Sequence, residues 1–222
     1  MKKLAKTLLT YTIARLLELG YYDISFELVN TILYTVDRAL HLHCIGELGL
    51  SWYYTKGMIF SSELLNALQF LEESRLVICS AVGKLSLRIG QDSTRILVKA
   101  LRNYLVEKLG ERIVKWIDFE IDKFVKAYEG EKEAYYCVVY NFPEVRVAIE
   151  EVRCGKDLAE IRFDSDVFLR EREEYWQVIE LLNDLSRFRK MMQELEKEFR
   201  EIDKEIQQIL SEDDEYDENS KS

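Results

Sequence analysis

The chain has 222 residues, 48% of them hydrophobic, and a net charge of −10. This apolar content is enough to build a core and excludes wholesale disorder. With one Pro and nine Gly, few residues interrupt helices, and the apolar runs are too short and too charged to span a membrane.

The charge is unevenly spread along the chain. Residues 1–164 carry a net charge of −1, residues 165–210 carry −4 and residues 211–222 carry −5. The overall acidity therefore does not exclude nucleic-acid binding by the first part. We expect a mainly helical domain over 1–162, one long coiled-coil helix over 165–210 and a disordered acidic tail over 211–222.

The N-terminal segment "MKKLAKTLLTYTIARLLELG" predicts an amphipathic helix. Arg15 and Glu18 interrupt its apolar part, and no small-residue cleavage site follows, so a signal peptide is not expected. The protein is therefore predicted to be cytoplasmic. The inward residues of this helix are predicted to be Leu4, Leu8, Leu9, Ile13, Leu16 and Leu17.

A second helix is predicted to begin after Asp23 or Ser25, either of which can cap it. The Gly-punctuated aromatic segment "GELGLSWYYTKGMIF" is interpreted as a connector. A third helix follows, with Ser61 or Ser62 as N-cap candidates. Its apolar stripe is predicted to consist of Leu64, Leu65, Leu68, Leu71 and Leu76.

The segment "LVICSAVGKLSLRI" predicts a short β-hairpin that turns at "VGK". A helix followed by such a hairpin is typical of a winged-helix-like arrangement. Helices over 92–109 and 111–128 complete this region. Their inward residues are predicted to be Ile96, Leu97, Ala100, Leu101, Tyr104 and Leu105 in the former, and Ile113, Trp116, Ile117, Ile121 and Phe124 in the latter.

The segment "AYYCVVYNFPEV" fits either a buried strand or a helix, with a boundary near Phe142 because of Pro143. Beyond it, apolar residues recur at alternating steps of three and four, the spacing of a coiled coil. Such a seam needs another helix, and we predict a homodimer; packing on a different protein or folding back remain as alternatives. The dimerisation residues are predicted to be Leu182, Leu185, Phe188, Met192, Leu195, Phe199, Ile202 and Ile206.

The sequence offers little catalytic chemistry. It has no Gly-rich phosphate loop and no "GxSxG" motif. His41 and His43 point about 200° apart on a helix, which is poor for shared metal ligation. The four cysteines are widely spaced and are expected to be reduced, mostly buried thiols. We therefore expect no enzyme activity, cofactor or metal.

A basic stripe follows the predicted third helix. Residues 84–115 carry a net charge of +5. The third helix itself has no Lys or Arg between Ser61 and Glu73, so it is poorly suited to reading DNA. The candidates for nucleic-acid binding are Lys84, Arg88, Arg95, Lys99 and Arg102.

The segment "ILYTVDRALHLHCIGELGLSWYYTKGMIFSSELLNALQFLEESRLV" resembles the Panacea (SocA-like) family of antitoxin-type domains. The matching positions are Leu33, Tyr34, Asp37, Arg38, Trp52, Tyr53, Gly57, Phe60, Ser61, Glu63, Leu64, Leu68, Leu71, Leu76 and Val77. Three features depart from the family pattern: the proline after Gly57 is missing, one extra residue precedes Phe60, and Arg75 replaces a glycine.

This resemblance implies a helical domain that binds and neutralises a protein partner, commonly a toxin, or acts as an adaptor. It implies no enzyme activity. We therefore predict a protein-interaction module, antitoxin- or adaptor-like and dimerised by its coiled coil. Its partner contacts are predicted at Trp52, Tyr53, Tyr54 and Phe60.

The alternative is a dimeric winged-helix transcription regulator, with the layout of regulators of the PadR type. Its DNA contacts would come from the basic stripe.

Overall fold

The structure is a computed structural model that describes residues 2–55, 57–127, 142–164 and 166–168, with isolated positions from 170 onward. The described part is mainly helical, with two small antiparallel sheets. Its helices are α1 Lys2–Glu18, α2 Phe26–Leu42, α3 Ser62–Glu73, α4 Gln91–Leu109, α5 Glu111–Ala127 and α6 Pro143–Arg153. Its strands are β1 Trp52–Thr55, β2 Met58–Ser61, β3 Val77–Cys79, β4 Leu85–Leu87 and β5 Ala159–Ile161.

The chain divides after Leu169 into two units, and the first contains all of these elements. The predicted long helix over 165–210 lies outside the described residues, apart from a few isolated positions. The acidic tail over 211–222 and the ambiguous segment before Phe142 also lie outside them. No helix in the described ranges has both the length and the apolar character that a membrane crossing requires.

Helix α1 is the central helix of the first unit, and the prediction that it is amphipathic is wrong. The consecutive residues Tyr11, Thr12, Ile13 and Ala14 are all buried, with at most 1% of each exposed. The helix is enclosed because α2, α3, α4 and α5 all pack against it. The buried Thr12 hydroxyl donates to the Leu8 carbonyl at 2.9 Å, so this polar group is satisfied within the helix.

Helix α2 begins as the sequence predicts. The Leu28 backbone N–H donates to Ser25 Oγ at 2.9 Å, which confirms Ser25 as the N-cap. The alternative cap, Asp23, instead forms an ion pair with Lys84 at 2.6 Å. Helix α2 is therefore fixed at its start and runs through the core, with most of its residues buried.

The predicted aromatic connector is a β-hairpin. Strands β1 and β2 pair antiparallel, with Trp52 opposite Ser61, and Gly57 provides a left-handed φ of +89° in the turn. Strand β5 adds to the other edge of β1, with Tyr53 opposite Glu160. The connector becomes regular because its polar backbone pairs on both sides of β1, and one of those partners is remote in sequence.

Helix α3 and the hairpin β3–β4 match the predicted order of elements. Ser61 occupies the N-cap position, but its side chain makes no capping hydrogen bond. Leu64, Leu68 and Leu71 are buried, whereas Leu65 and Leu76 are 40% and 50% exposed, so those two are wrongly placed in the stripe. The hairpin is confirmed: its strands pair from Val77 opposite Leu87 to Cys79 opposite Leu85, and Gly83 takes a φ of +77° in its turn.

Helices α4 and α5 agree with their predicted ranges to within a residue. The inward face of α5 is confirmed, although Trp116 is only partly buried. The face of α4 is partly wrong, because Ile96 is 73% exposed and Ala100 is also exposed. The buried residues of α4 include Thr94, Val98 and Leu105, since this line of residues meets α1 and α5.

Four helices end in the same hydrogen-bonded turn, in which one residue takes a left-handed conformation. At the end of α3, the Leu76 N–H donates to the Leu71 carbonyl and the Arg75 N–H donates to the Glu72 carbonyl, both at 2.9 Å. This is the Schellman motif, whose left-handed position favours glycine. Gly20, Cys44 and Gly155 occupy that position after α1, α2 and α6.

Arg75 takes a φ of +58° at the position where the resembled family has a glycine. We expect Arg75→Gly to raise the free energy of unfolding by about 1 kcal/mol, because glycine has no Cβ to strain this conformation. Urea denaturation followed by circular dichroism measures the change. Ser74→Gly is the matched control: Ser74 has a φ of −77°, so glycine there should destabilise by roughly 0.5–1 kcal/mol. Equal effects of the two substitutions would contradict this account.

Candidate functional site

The polar side chains that helix α2 buries include Asn30, Tyr34, Asp37 and Arg38. Each residue is at most 6% exposed. Their spacing places them along one side of the helix. Buried polar groups need hydrogen-bond partners, and the partners of these four residues define the candidate site.

The Asp37 carboxylate holds the hairpin segment against α2. Its Oδ1 accepts a hydrogen bond from the Leu48 backbone N–H at 2.7 Å, and its Oδ2 accepts one from the Trp52 indole Nε1–H at 2.8 Å. Burial raises the pKa of Asp37, although these two donors partly oppose that effect. As the pH rises, the Asp37 carboxyl therefore loses its proton at a lower pH in the unfolded chain than in the folded chain. Ionisation of Asp37 thus lowers the free energy of unfolding between its ordinary pKa and its raised pKa.

Asn30 and Glu63 hold the second strand at the same open end of the hairpin, where Ser61 pairs with Trp52. The Ser61 backbone N–H donates to Asn30 Oδ1 at 2.9 Å. The Glu63 carboxylate accepts hydrogen bonds from the hydroxyls of Ser51, Ser61 and Ser62 at 2.8 to 3.0 Å. Burial would raise the pKa of Glu63, but these hydroxyls and its own backbone N–H lower it overall.

Arg38 and Tyr34 both bind Glu144, the second residue of α6. The Arg38 Nε–H donates to Glu144 Oε1 at 2.6 Å, and the Tyr34 hydroxyl donates to the same oxygen at 2.8 Å. The two charged side chains are 8% and 6% exposed. Burial, followed by the charge of Glu144, raises the pKa of Tyr34 well above its ordinary value, so the hydroxyl remains a donor.

Aromatic rings surround this buried ion pair. The Tyr34 ring meets the Trp52 ring edge-on at 5.4 Å between centroids and lies 5.8 Å from the Phe163 ring. The Arg38 guanidinium lies 4.0 Å from the centroid of Phe142 and 5.3 Å from that of Phe168. These rings exclude water and strengthen the attraction between Arg38 and Glu144.

A cavity of about 440 Å³ lies beside Glu144. One side comes from Glu144, Val147 and Glu151, which lie on one face of α6. The remaining lining residues come from the chain around β5 and from the start of α6: Pro143, Lys156, Leu158, Glu160, Arg162, Asp164, Val167 and Phe168. Glu144 Oε2 is buried, and no donor in the described part of the chain hydrogen-bonds to it.

The predicted partner residues divide between the two faces of the sheet. Trp52 and Tyr54 face the core and are 2% and 9% exposed, so they present little surface to a partner. Tyr53 and Phe60 are half-buried on the other face, with ring centroids 5.8 Å apart. The predicted partner surface is therefore reduced to the Tyr53–Phe60 pair.

The predicted basic stripe is partly neutralised. Lys84 is paired with Asp23, and Arg102 contacts Glu111 and Asp118, each at 3.0 Å. Arg88, Arg95 and Lys99 are exposed. The structure thus leaves three of the five predicted residues on the surface without an ion pair within 4 Å in the described ranges.

The histidines have separate environments. His41 Nδ1 lies 2.8 Å from the Asp37 carbonyl oxygen, and its ring packs 4.4 Å from that of Phe163. The His43 ring stacks on Trp116 at 5.3 Å. The described ranges contain no group of three or more His, Cys, Asp or Glu side chains arranged to hold a metal ion.

The expectation that the cysteines are mostly buried is wrong for the three in the described ranges. Cys44, Cys79 and Cys154 are exposed. Cys44 is at the surface because it occupies the left-handed position after α2. The predicted dimerisation residues Leu182, Leu185, Phe188, Met192, Leu195, Phe199, Ile202 and Ile206 all lie outside the described residues.

Glu144 is the important residue that sequence reasoning missed. A buried arginine requires an acidic partner, and that requirement was the available signal. However, Arg38 and Glu144 are 106 residues apart, and the chain contains 41 acidic residues. The position of Glu144 directly after Pro143, at a helix start, favours a carboxylate there but does not identify its partner.

We expect Asp37→Asn to lower the free energy of unfolding by about 2 kcal/mol, because an amide cannot accept hydrogen bonds from both the Leu48 and Trp52 donors. Urea denaturation at neutral pH measures this loss. Asp157→Asn is the control, since the Asp157 residue is exposed, and it should change stability by less than about 0.5 kcal/mol. Equal stability of the two variants would refute the role assigned to Asp37.

The buried ion pair predicts two unequal effects. We expect Arg38→Met to lower the free energy of unfolding by about 3 kcal/mol or more, because it leaves the Glu144 carboxylate buried and uncompensated. Tyr34→Phe removes one neutral donor and should lower it by about 1 kcal/mol. The same denaturation experiment compares the variants. A loss for Arg38→Met no larger than that for Tyr34→Phe would show that the charge of Arg38 is not needed there.

The chain was compared with known proteins at three levels. No protein-family model, no curated protein and no solved structure matches it. A function for the chain is therefore argued from the geometry of its own residues.

Proposed function

We propose that the chain is a non-enzymatic protein-interaction module, antitoxin- or adaptor-like. The observation that carries this proposal is a continuous outer surface formed by the three-stranded sheet and α6. Tyr53 lies between Phe60 and Glu160 in the sheet register, so these three side chains share one face. Glu160 also lines the cavity beside α6. The aromatic pair and the cavity therefore border one another.

An apolar patch extends this surface along α6. It is lined by Arg146, Val147, Glu150, Glu151, Cys154 and Lys156, three of which also line the cavity. Val147 and Leu158 are 62% and 46% exposed. Exposed apolar side chains beside aromatic rings and a cavity are the features of a protein-binding surface.

The structural roles of the motif residues support the proposed membership of the Panacea family. Tyr34, Asp37, Arg38 and Glu63 carry the resemblance, and each is used to fix the hairpin or α6. The motif residues thus hold the sheet in the position in which Tyr53 and Phe60 lie on its outer face. In this proposal the partner is a protein, for which a toxin is the family expectation.

Dimerisation through the helix over 165–210 is a further part of the proposal. Its support is the apolar seam in the sequence, whose length exceeds what a small domain can cover. A dimer would present two copies of the binding surface. We also propose a cytoplasmic location, which suits the thiols of Cys79 and Cys154, since neither is in a disulfide within the described ranges.

A winged-helix DNA-binding regulator is the alternative. The observation in its favour is the order of α3, the β3–β4 hairpin and α4, together with exposed Arg88, Arg95 and Lys99. The ion pairs of Lys84 and Arg102 weaken it, because these two charges are already partly neutralised. The acidic α3 also lacks cations for the phosphate backbone.

The proposal predicts that Tyr53→Ser/Phe60→Ser reduces affinity for the native partner at least about tenfold, since aromatic contacts dominate interface energies. The tagged full chain is used to capture proteins from the native cell, and the dissociation constant is then measured with the purified partner. Phe119→Ser is the control, because Phe119 is a 55% exposed aromatic residue on α5. Circular dichroism verifies that each variant is folded.

Two results would reject this proposal. One is the failure of the full chain to retain any specific protein; the other is retention that the double variant does not reduce. If the chain instead binds duplex DNA in low salt, and Arg95→Glu/Lys99→Glu abolishes that binding, the regulator alternative is correct.

A further inference from the structure

The Glu144 carboxylate is only half satisfied. Its Oε1 accepts hydrogen bonds from Arg38 and Tyr34, whereas its Oε2 accepts none. The side chain is 6% exposed and lines the cavity beside α6. A buried carboxylate oxygen without a donor is unfavourable, and a ligand that supplies a donor removes that penalty.

The charges around the cavity favour a cation. Its two basic lining residues are already engaged: Lys156 pairs with Glu151 at 2.7 Å, and Arg162 pairs with Glu160 at 2.8 Å. Besides Glu144 and the two paired glutamates, the lining includes the Asp164 carboxylate, at an exposed position. A cationic group that enters the cavity would therefore meet Glu144 at its base and Asp164 nearer to solvent.

The remaining lining is suited to an apolar stem. Val147, Leu158 and Phe168 contribute apolar surface, and the volume of about 440 Å³ is within the range for small-molecule sites and accommodates a long side chain. Arginine and lysine combine such a stem with a terminal cation. Their donors match the unpaired oxygen of Glu144.

We propose that this cavity binds the guanidinium or ammonium group of a basic side chain from the protein partner, with the group donating to Glu144 Oε2. The inference rests on the proposed function for the source of that side chain. The source is assigned to a protein because the cavity continues into the apolar patch through Val147, Glu151 and Lys156. Residues next to the basic side chain in the partner would lie on that patch.

Titration calorimetry with two matched probes tests the chemistry of the cavity. N-acetyl-arginine amide carries the cation, and N-acetyl-citrulline amide has nearly the same shape without the charge. We expect the arginine probe to bind the full chain at least about tenfold more tightly than the citrulline probe, because a charged donor meets a buried carboxylate. Equal binding of the two probes, or no binding of either, would overturn the assignment.

Substitutions inside and outside the cavity test where the arginine probe binds. Glu144→Gln should weaken the arginine probe about tenfold, and Asp164→Asn should weaken it by a smaller factor. Glu107→Gln should leave binding unchanged, because Glu107 lies on α4 and does not line the cavity. Wild-type affinity in both Glu144→Gln and Asp164→Asn would show that the probe binds elsewhere.

Glu144→Gln removes the charged partner of Arg38. If this loss prevents the variant from folding, a second variant tests the same cavity. Val147→Arg changes a 62% exposed residue and places bulk and positive charge in the cavity. It should abolish probe binding while preserving the circular dichroism spectrum. Unchanged binding in Val147→Arg would refute the proposed location.

Two more probes distinguish the source of the cation. If the source is a protein side chain, acetyl-Leu-Arg-Leu-amide should bind about tenfold more tightly than the blocked arginine, because its flanking leucines contact the apolar patch. If agmatine binds more tightly than the peptide, the ligand is a free amine and the protein assignment is wrong. If the wild-type chain binds no probe but its binding to the partner still depends on Tyr53 and Phe60, this inference is refuted and the proposed function remains intact.

Discussion

The buried Asp37 carboxylate is the constraint on which the surrounding architecture depends. A carboxylate that is 1% exposed needs strong donors, and both of its donors come from the segment that follows α2. That segment must therefore lie against the helix, with the Trp52 indole directed inward. Alternation along β1 then directs Tyr53 outward. The outer aromatic surface is thus a consequence of how one buried charge is satisfied.

Local signals account for the parts of the fold that the sequence predicted. Ser25 caps α2, Pro143 begins α6, and the β3–β4 hairpin turns at Gly83, because each depends on residues close in sequence. The connector was misjudged because β1 also pairs with β5, which no local pattern reveals. Helix α1 was misjudged because helical periodicity identifies an apolar face but not enclosure by several partners.

The candidate site itself is non-local, which explains why its main residue was missed. Arg38 contributes its charge from α2, while Glu144 comes from the first turn of α6. The two side chains are brought together by the packing of α6 against β1 and β5. The same packing leaves Glu144 Oε2 buried without a third donor among the described residues, in a side chain that lines the cavity. In the proposed binding mode, the Glu144 carboxylate serves both the stability of the fold and the binding of a cation, as is common where a structural group also serves a site.

Ion pairs within the first unit weigh against the nucleic-acid alternative. The basic residues of the first part are partly neutralised by Asp23, Glu111 and Asp118, whereas the cavity retains an unsatisfied carboxylate oxygen. These short-range contacts support the proposal that the cavity binds an Arg or Lys side chain of a protein partner.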